Sequence, residues 1–312
     1  MILIVTRKDD VHADVVTLEL DKLGEAYFRL NTEAIDEYDI TLSPKKATLV
    51  HRATDRRLCS ESVKSVYLRR RSIPEFPIDT GYASFVQSEW KGLLRNMWVL
   101  LASAFWISHP DAIEQTSDKI AQLRLAREIG FEIPETILTN SIVSVNQLQN
   151  KCGELIYKAI HSGEINRSTG QVIYTSSLKP DLLSNDHTRE FQVCPAFYQP
   201  RIPKDYEVRV TVVGTRVFAT KIDSQISVET SLDWRRYGGG NLRHGPYELE
   251  QPVADKCVEV VRSFKLEFGA IDLIKNKAGY VFLEINANGQ WAWIEACTKY
   301  PIARSVAELL AR

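Results

Sequence analysis

Gly269-Ala270-Ile271-Asp272-Leu273-Ile274 and Phe282-Leu283-Glu284-Ile285-Asn286 are two apolar runs near the C-terminus that carry oxygen donors among their hydrophobic residues. Asp272 precedes Glu284 by twelve positions, and Asn276-Lys277-Ala278-Gly279 between them reads as a turn. Side chains alternate across a strand, so Glu284 and Asn286 point to one face. An oxygen-only set of this kind suits a hard cation such as Mg²⁺. Asp272, Glu284 and Asn286 therefore read as a site that holds magnesium against nucleotide phosphates. The alternative is a buried carboxylate and amide satisfied by turn backbone. The chain has neither Gly-x-x-x-x-Gly-Lys-Ser/Thr nor Gly-x-Gly-x-x-Gly, so nucleotide chemistry here needs another scaffold.

The 312 residues suffice for two or three subdomains with cores of their own. With 44% hydrophobic and 25% charged residues the composition is that of a soluble globular protein. A formal net charge of -1 gives no general attraction to nucleic acid or anionic membrane. The five cysteines, Cys59, Cys152, Cys194, Cys257 and Cys297, are dispersed and form no Cys-x-x-Cys pair. That pattern predicts reduced thiols in a cytoplasmic setting, without a disulfide framework or zinc site. Met1–Val5 is too short for a signal-peptide core, and no apolar run reaches the roughly 20 residues of a membrane span.

Along the chain, Ile2–Val5, a helix over His12–Leu23 ending at Gly24, and Ala26–Leu30 predict a β-α-β start. Ala47–His51 and Ser65–Arg69 read as further strands, and Ser88–Ile107 as one long helix with the apolar Met97–Ile107 buried. Ser117 is the expected N-cap of a helix that stops at Gly130. Thr136–Thr139 and Leu155–Ile160 read as strands, Ser162–Gly170 as a mobile hairpin loop, and Asp181–Phe191 as a loop or short helix. Glu207–Val213 alternates: Val208, Val210 and Val212 share one face, Glu207, Arg209 and Thr211 the other. Gly214-Thr215 turns it into Val217–Ile222. Ser224–Leu249, with Gly238-Gly239-Gly240, reads as a long loop; Ala254–Phe264 and Ile302–Leu310 read as helices. The expected division is an N-terminal α/β domain over 1–115, a central subdomain over 116–195 and a C-terminal subdomain over 196–312 carrying the metal site.

Several residues outside the acidic strands draw attention. Lys158 lies in the apolar strand Leu155–Ile160, where a buried cation needs an anionic partner, either a phosphate or a carboxylate. Lys119 opens its helix; most lysines so placed are simply solvated. In Gln199-Pro200-Arg201-Ile202-Pro203-Lys204-Asp205, a linker can read adenine through its backbone. Pro200 and Pro203 have no N–H, so Arg201 or Ile202 supplies the donor, and Asp205 can take the ribose hydroxyls. Arg209, on the same face as Glu207, is placed either in a cross-strand ion pair or on a phosphate or substrate carboxylate. Asp233-Trp234-Arg235-Arg236 either binds a carboxylate-bearing peptide or anchors its loop. Trp291 and Trp293 read as packing residues.

In order and spacing these pieces resemble the ATP-grasp superfamily over nearly the whole chain. Ser117-Asp118-Lys119 through Gly130-Phe131-Glu132-Ile133-Pro134 is similar to its opening segment, Lys158 to its phosphate-binding lysine, Gln199–Ile202 to its adenine hinge, and Asp272, Glu284 and Asn286 to its magnesium set. Tyr67-Leu68-Arg69-Arg70, Tyr206–Gly214, Asp233-Trp234-Arg235 and Phe282–Glu295 resemble more closely the graspetide (microviridin-type) peptide macrocyclases. Two departures stand out: Ala287 where proline is expected, and Pro200 where the hinge usually has an acidic residue. The resemblance implies an α/β (α+β) ATP-grasp fold with an N-terminal pre-ATP-grasp domain. It implies an ADP-forming ligase that uses ATP and Mg²⁺ to phosphorylate Asp or Glu side chains of a ribosomal precursor peptide. Ser/Thr or Lys then closes ω-ester or ω-amide rings. In that reading Lys119 and Lys158 meet phosphate oxygens, Arg209 steadies the transferring phosphoryl group, Arg235 grips the acceptor carboxylate and Asp233 deprotonates the nucleophile. The partner is the precursor peptide, leader plus core, and such enzymes are often homodimers. Two rivals remain: a ligase adding an amino acid to a protein or small carboxylate, and an ATP-binding regulatory protein without turnover.

Overall fold

The computed structural model describes residues 1–70, 80–161, 164–166, 171–236 and 243–312. Ile2–Thr6 is buried on both faces, as expected of a strand inside a parallel sheet. It lies between Tyr27–Asn31 and Ser65–Leu68, with Phe105–Ile107 at the far edge, and all three pairings are parallel. Helix Val11–Leu23 begins at Asp10, whose side chain accepts the His12 N–H, and ends at Gly24 with φ of 72°. That left-handed turn is open to glycine at no steric cost. The other face of the sheet is covered by helix Thr80–Leu100 and by an antiparallel meander of Tyr38–Leu42, Ala47–His51 and Arg56–Cys59.

The long helix expected over Ser88–Ile107 is corrected. It spans Thr80–Leu100, and Phe105–Ile107 is a strand. The apolar run conceals the break because it contains no glycine or proline. Tertiary context makes it: the free edge of Ser65–Leu68 pairs with Phe105–Ile107, and Trp106 folds back so that its indole N–H donates to Leu101 O at 3.0 Å.

The central sheet runs Ser176–Ser177, Leu155–Lys158, Ala196–Pro200, Ile137–Thr139, and its pairings are antiparallel. Ala196–Pro200 thus belongs with the central strands. The chain crosses to the C-terminal sheet over 201–205. Glu164–Asn166 pairs with Gln171–Val172 as a hairpin; most of the expected loop Ser162–Gly170 lies outside the described residues.

Five antiparallel strands make the C-terminal sheet, in the order His244–Tyr247, Arg216–Ile222, Tyr206–Val213, Phe268–Asn276, Gly279–Asn286. The valines of Tyr206–Val213 pack beneath helix Gln251–Ser263 through Cys257, Val260 and Val261. Glu207, Arg209 and Thr211 on the opposite face are buried as well. A buried polar face needs internal partners, and these define the cleft floor. The segment Ser224–Leu249 is not a plain loop: it contains helix Val228–Leu232, capped by Ser227, and the edge strand His244–Tyr247. Gly238-Gly239-Gly240 lies outside the described residues.

The final helix, Ile302–Ala311, returns to the N-terminal sheet and shares one core with Ile2, Ile4, Val16 and Leu20. Ser65 donates its hydroxyl to Leu310 O at 2.7 Å. No helix among the described residues is long and apolar enough to cross a membrane.

Candidate active site

Register brings the acidic residues together. Asp272 pairs with Glu284 across one strand boundary and with Arg209 across the other. A bulge between Asp272 and Leu273 re-aims the strand at this point. Arg209 donates to Asp272 at 2.7 Å. Arg209 thus forms the cross-strand ion pair that was the alternative to a ligand contact, with Asp272 as its partner; Glu207 is held by Lys204 at 2.5 Å. Glu284 faces Lys119 at 2.9 Å and Arg235 at 3.8 Å. Asn286 follows two residues on, paired with Ala270, and its Oδ1 accepts the Asn288 N–H at 3.0 Å.

Lys119 reaches Glu284 because helix Lys119–Glu128 is fastened to the last strand. Gln122 accepts the Ile285 N–H at 2.9 Å and donates to Ile285 O at 3.0 Å. Nothing in the local pattern hints at this role for Gln122, which reads as an ordinary helix residue. The N-cap is Asp118 and not Ser117, whose hydroxyl instead donates to Glu114 O at 2.6 Å. Gly130 follows the helix with φ of 95°, as its position predicted.

Lys158 ends its strand facing the same carboxylates. Burial lowers its pKa, and Glu284 pulls it back up against Lys119 and Arg235. Burial also opposes the charge on Glu284, yet Lys119, Arg235 and Lys158 hold that carboxyl down at about 2. For Asp272 burial prevails over Arg209, and with Glu284 close by the pKa rises. Four cations, Lys119, Lys158, Arg209 and Arg235, surround three carboxylates, Asp233, Asp272 and Glu284. The surplus of positive charge at a buried locus calls for an anion.

Two clefts converge here. One runs from Gln199–Lys204 and Glu207 to Asp272 and Glu284. The other, wider cleft runs from Ser117, Lys119 and His161 to Asn286 and Asn288. Lys158, Thr175, Arg235 and Glu284 belong to both walls.

The hinge is partly as expected. Gln199 is buried and donates to Thr136 Oγ1 at 2.9 Å. The Arg201 N–H is already committed to Glu154 O at 2.8 Å, and its guanidinium pairs with Glu154 at 3.0 Å. Of the two donors considered, Ile202 is left for a nucleobase. Asp205 is corrected: it is exposed and off the cleft wall, and Glu207 with Lys204 occupies the place expected of it. Glu207 lies inside the strand Tyr206–Val213, paired on both sides, whereas Asp205 precedes it and stays in solvent.

Asp233 is also corrected. Both of its oxygens accept from Arg235, each at 2.9 Å. Burial works to raise its pKa, but the guanidinium wins and holds it below the usual value. A carboxylate so engaged is a weak proton acceptor, and its evident work is to orient Arg235. Trp293 packs against Trp234, centroids 5.4 Å apart, while Trp291 is wholly buried, so both serve packing.

The oxygen donors Asp272, Glu284 and Asn286 fit a hard divalent cation, with the cations beside them placed for phosphate oxygens. Among the described residues no three His, Cys, Asp or Glu side chains gather as a metal cluster; this set has two carboxylates and an amide.

A cleft between a central and a C-terminal antiparallel sheet, floored by cations and carboxylates, defines an ATP-grasp protein. The chain belongs to the RimK-like ATP-grasp family, whose domain matches residues 116–310, and the MvdD pre-ATP grasp domain matches residues 1–114. Among solved structures it is similar to the macrocyclase MdnC bound with precursor peptide MdnA from Microcystis aeruginosa MRC: 27% identical, TM-score 0.88, covering 100% of this chain and 99% of that one. A Chryseobacterium gregarium RiPP-associated ATP-grasp ligase in complex with ADP and a leader and core peptide is 28% identical, with TM-score 0.89 and coverage of 99% and 96%. A probable alpha-L-glutamate ligase of Desulfotalea psychrophila is 27% identical over 199 residues, 62% of this chain but only 41% of that protein. A second, from Histophilus somni, is 24% identical over 64% of this chain and 65% of its own length.

Proposed function

We propose that this protein is an ADP-forming ligase that activates side-chain carboxylates of a ribosomal precursor peptide and closes ω-ester or ω-amide rings. The observation that carries this reading is the convergence of both clefts on Lys158, Arg235 and Glu284. One cleft suits a nucleotide and the other, wider one suits an extended acceptor. Similarity along the full chain to ligases crystallised with precursor peptides supports it.

A carboxylate is a poor electrophile because its leaving group would be oxide. ATP remedies this: an Asp or Glu oxygen attacks the γ-phosphorus, the bond to the β-phosphate oxygen breaks, and ADP leaves. The acyl phosphate is then attacked at carbon by a Ser/Thr hydroxyl or Lys amine. Phosphate departs with the C–O bond electrons, and the nucleophile loses its proton. Lys119 and Lys158 take phosphate oxygens, and Arg209 lies beside the transferring group to offset charge as it develops. Arg235, held in a fixed fork by Asp233, grips the acceptor carboxylate. Ile202 supplies the hinge donor. Asp272, Glu284 and Asn286 would hold Mg²⁺, whose charge would offset that of the nucleotide phosphates. Exclusion of water from the joint wall protects the acyl phosphate.

Incubation of a candidate precursor peptide with ATP and Mg²⁺, followed by mass spectrometry, tests the reading. Ring closure removes one water per bond. The similarity to glutamate ligases favours a second reading, addition of an amino acid, and then the acceptor gains mass.

A further inference from the structure

Tyr67-Leu68-Arg69-Arg70 has no part in the chemistry above, yet Arg69 is among the largest wholly buried side chains. It leaves the C-terminal end of Ser65–Leu68, beside the C-terminal end of Ile2–Thr6. These two adjacent parallel strands continue in opposite directions across the sheet, and the crevice at such a switch point ordinarily receives a ligand. Here the chain fills it. Arg69 NH1 donates to Asn288 O at 2.7 Å and to Gly289 O at 3.2 Å. His12 Nε2 accepts the Trp291 N–H at 3.1 Å, and His12 Nδ1 lies 3.1 Å from Asp10 Oδ1. That fixes the neutral tautomer with its proton on Nδ1. Asp10 in turn accepts from Thr6 at 2.7 Å and lies 3.7 Å from the Arg69 Nε.

The segment so gripped starts from Asn286, whose side chain caps the Asn288 N–H. Gly289 is pressed into the site: a Cβ there would stand 2.4 Å from Ala270 Cβ and 2.6 Å from the Arg209 guanidinium, which holds Asp272. We infer that Arg69, with His12 and Asp10, forms a positioning clamp through which the N-terminal domain sets the geometry of the metal-holding residues Asn286 and Asp272. None of the three touches a reacting group. The inference rests on the ligase reading only in taking Asp272, Glu284 and Asn286 as the metal set.

The test is the affinity for a fluorescent ADP analogue, titrated across Mg²⁺ concentrations and again in EDTA, for the full chain and for Arg69→Met, Arg69→Lys and His12→Gln. Supporting residues of this kind typically set metal affinity by roughly tenfold or more. Arg69→Met should raise the Mg²⁺ concentration at half-effect about tenfold. Its metal-free nucleotide affinity should stay within about twofold of wild type. Arg69→Lys, which keeps one donor, should fall between, and His12→Gln, which keeps an acceptor for Trp291, should stay near wild type. If Arg69→Met does not fold, Arg69→Lys carries the test. Unaltered Mg²⁺ half-effect in folded Arg69 variants overturns the clamp, as does equal weakening with and without Mg²⁺. If wild type itself shows no Mg²⁺ dependence, the metal assignment fails instead.

Discussion

Replacing Glu284 with Gln removes one negative charge from among Lys119, Arg235 and Lys158 while keeping nearly the same shape. The structure gives the scale. Those cations take the Glu284 carboxyl from its usual 4.5 to about 2, roughly two and a half pKa units. At ~1.4 kcal/mol per unit this is about 3 kcal/mol of differential stabilisation. The side chain is 23% exposed, so solvent screening is modest. Lys158, already disposed by burial to lose its proton, can relieve part of the repulsion left behind. The expected loss in Glu284→Gln is therefore about 2–3 kcal/mol at pH 7, without nucleotide or metal. The sign with pH follows from a depressed folded-state pKa. The stabilisation is complete above the unfolded value near 4.5 and is lost as pH falls towards 2, so the two proteins should converge over that interval. Urea denaturation of both proteins, from pH 7 down to 3, measures it. A variant within ~0.5 kcal/mol of wild type at pH 7 would show that Glu284 does not balance this cluster, and the electrostatic account of the site would fall.

Other perturbations separate the roles. Lys158→Ala should weaken ADP binding by roughly 10- to 100-fold, the value of one charge-assisted hydrogen bond; an unchanged nucleotide titration would reduce it to a structural ion-pair partner. Arg235→Ala should lower peptide turnover by about 10²-fold or more with nucleotide affinity nearly intact, and Asp233→Asn should shift turnover the same way by freeing Arg235. Loss of ADP binding alone in Arg235→Ala would refute its placement on the acceptor. Burial lowers the pKa of His12, so the unfolded chain binds its proton first; stability should decline as pH drops below about 6.5, and this slope should flatten in His12→Gln. Equal slopes in the two proteins would contradict a neutral His12 accepting from Trp291.

Short-range pattern was readable before the fold was seen. Period-two alternation located Tyr206–Val213, and the short turn between the two apolar runs placed Asp272, Glu284 and Asn286 on paired strands; the bulge that sets Glu284 rather than Leu283 opposite Asp272 was not legible. Errors arose where a local signal was uniform or where long-range pairing decided the outcome. Met97–Ile107 is apolar throughout, so the helix end at Leu100 and the strand at Phe105 left no mark. Asp205 and Glu207 differ in exposure because the strand begins between them: Glu207 is paired on both sides and Asp205 precedes it. Asp233 and Arg235 were singled out together, but only the structure shows them satisfying each other. The partners of Gln122 and Arg69 could not be read, since they lie 163 and 219 residues away.

The decisive measurement is a crystal structure of the protein with ADP and Mg²⁺. The account predicts one ion within about 2.0–2.2 Å of oxygens from Asp272, Glu284 and Asn286, the β-phosphate beside Lys158, and the adenine facing the Ile202 N–H. A nucleotide bound elsewhere, or an ion that bypasses all three side chains, would contradict it.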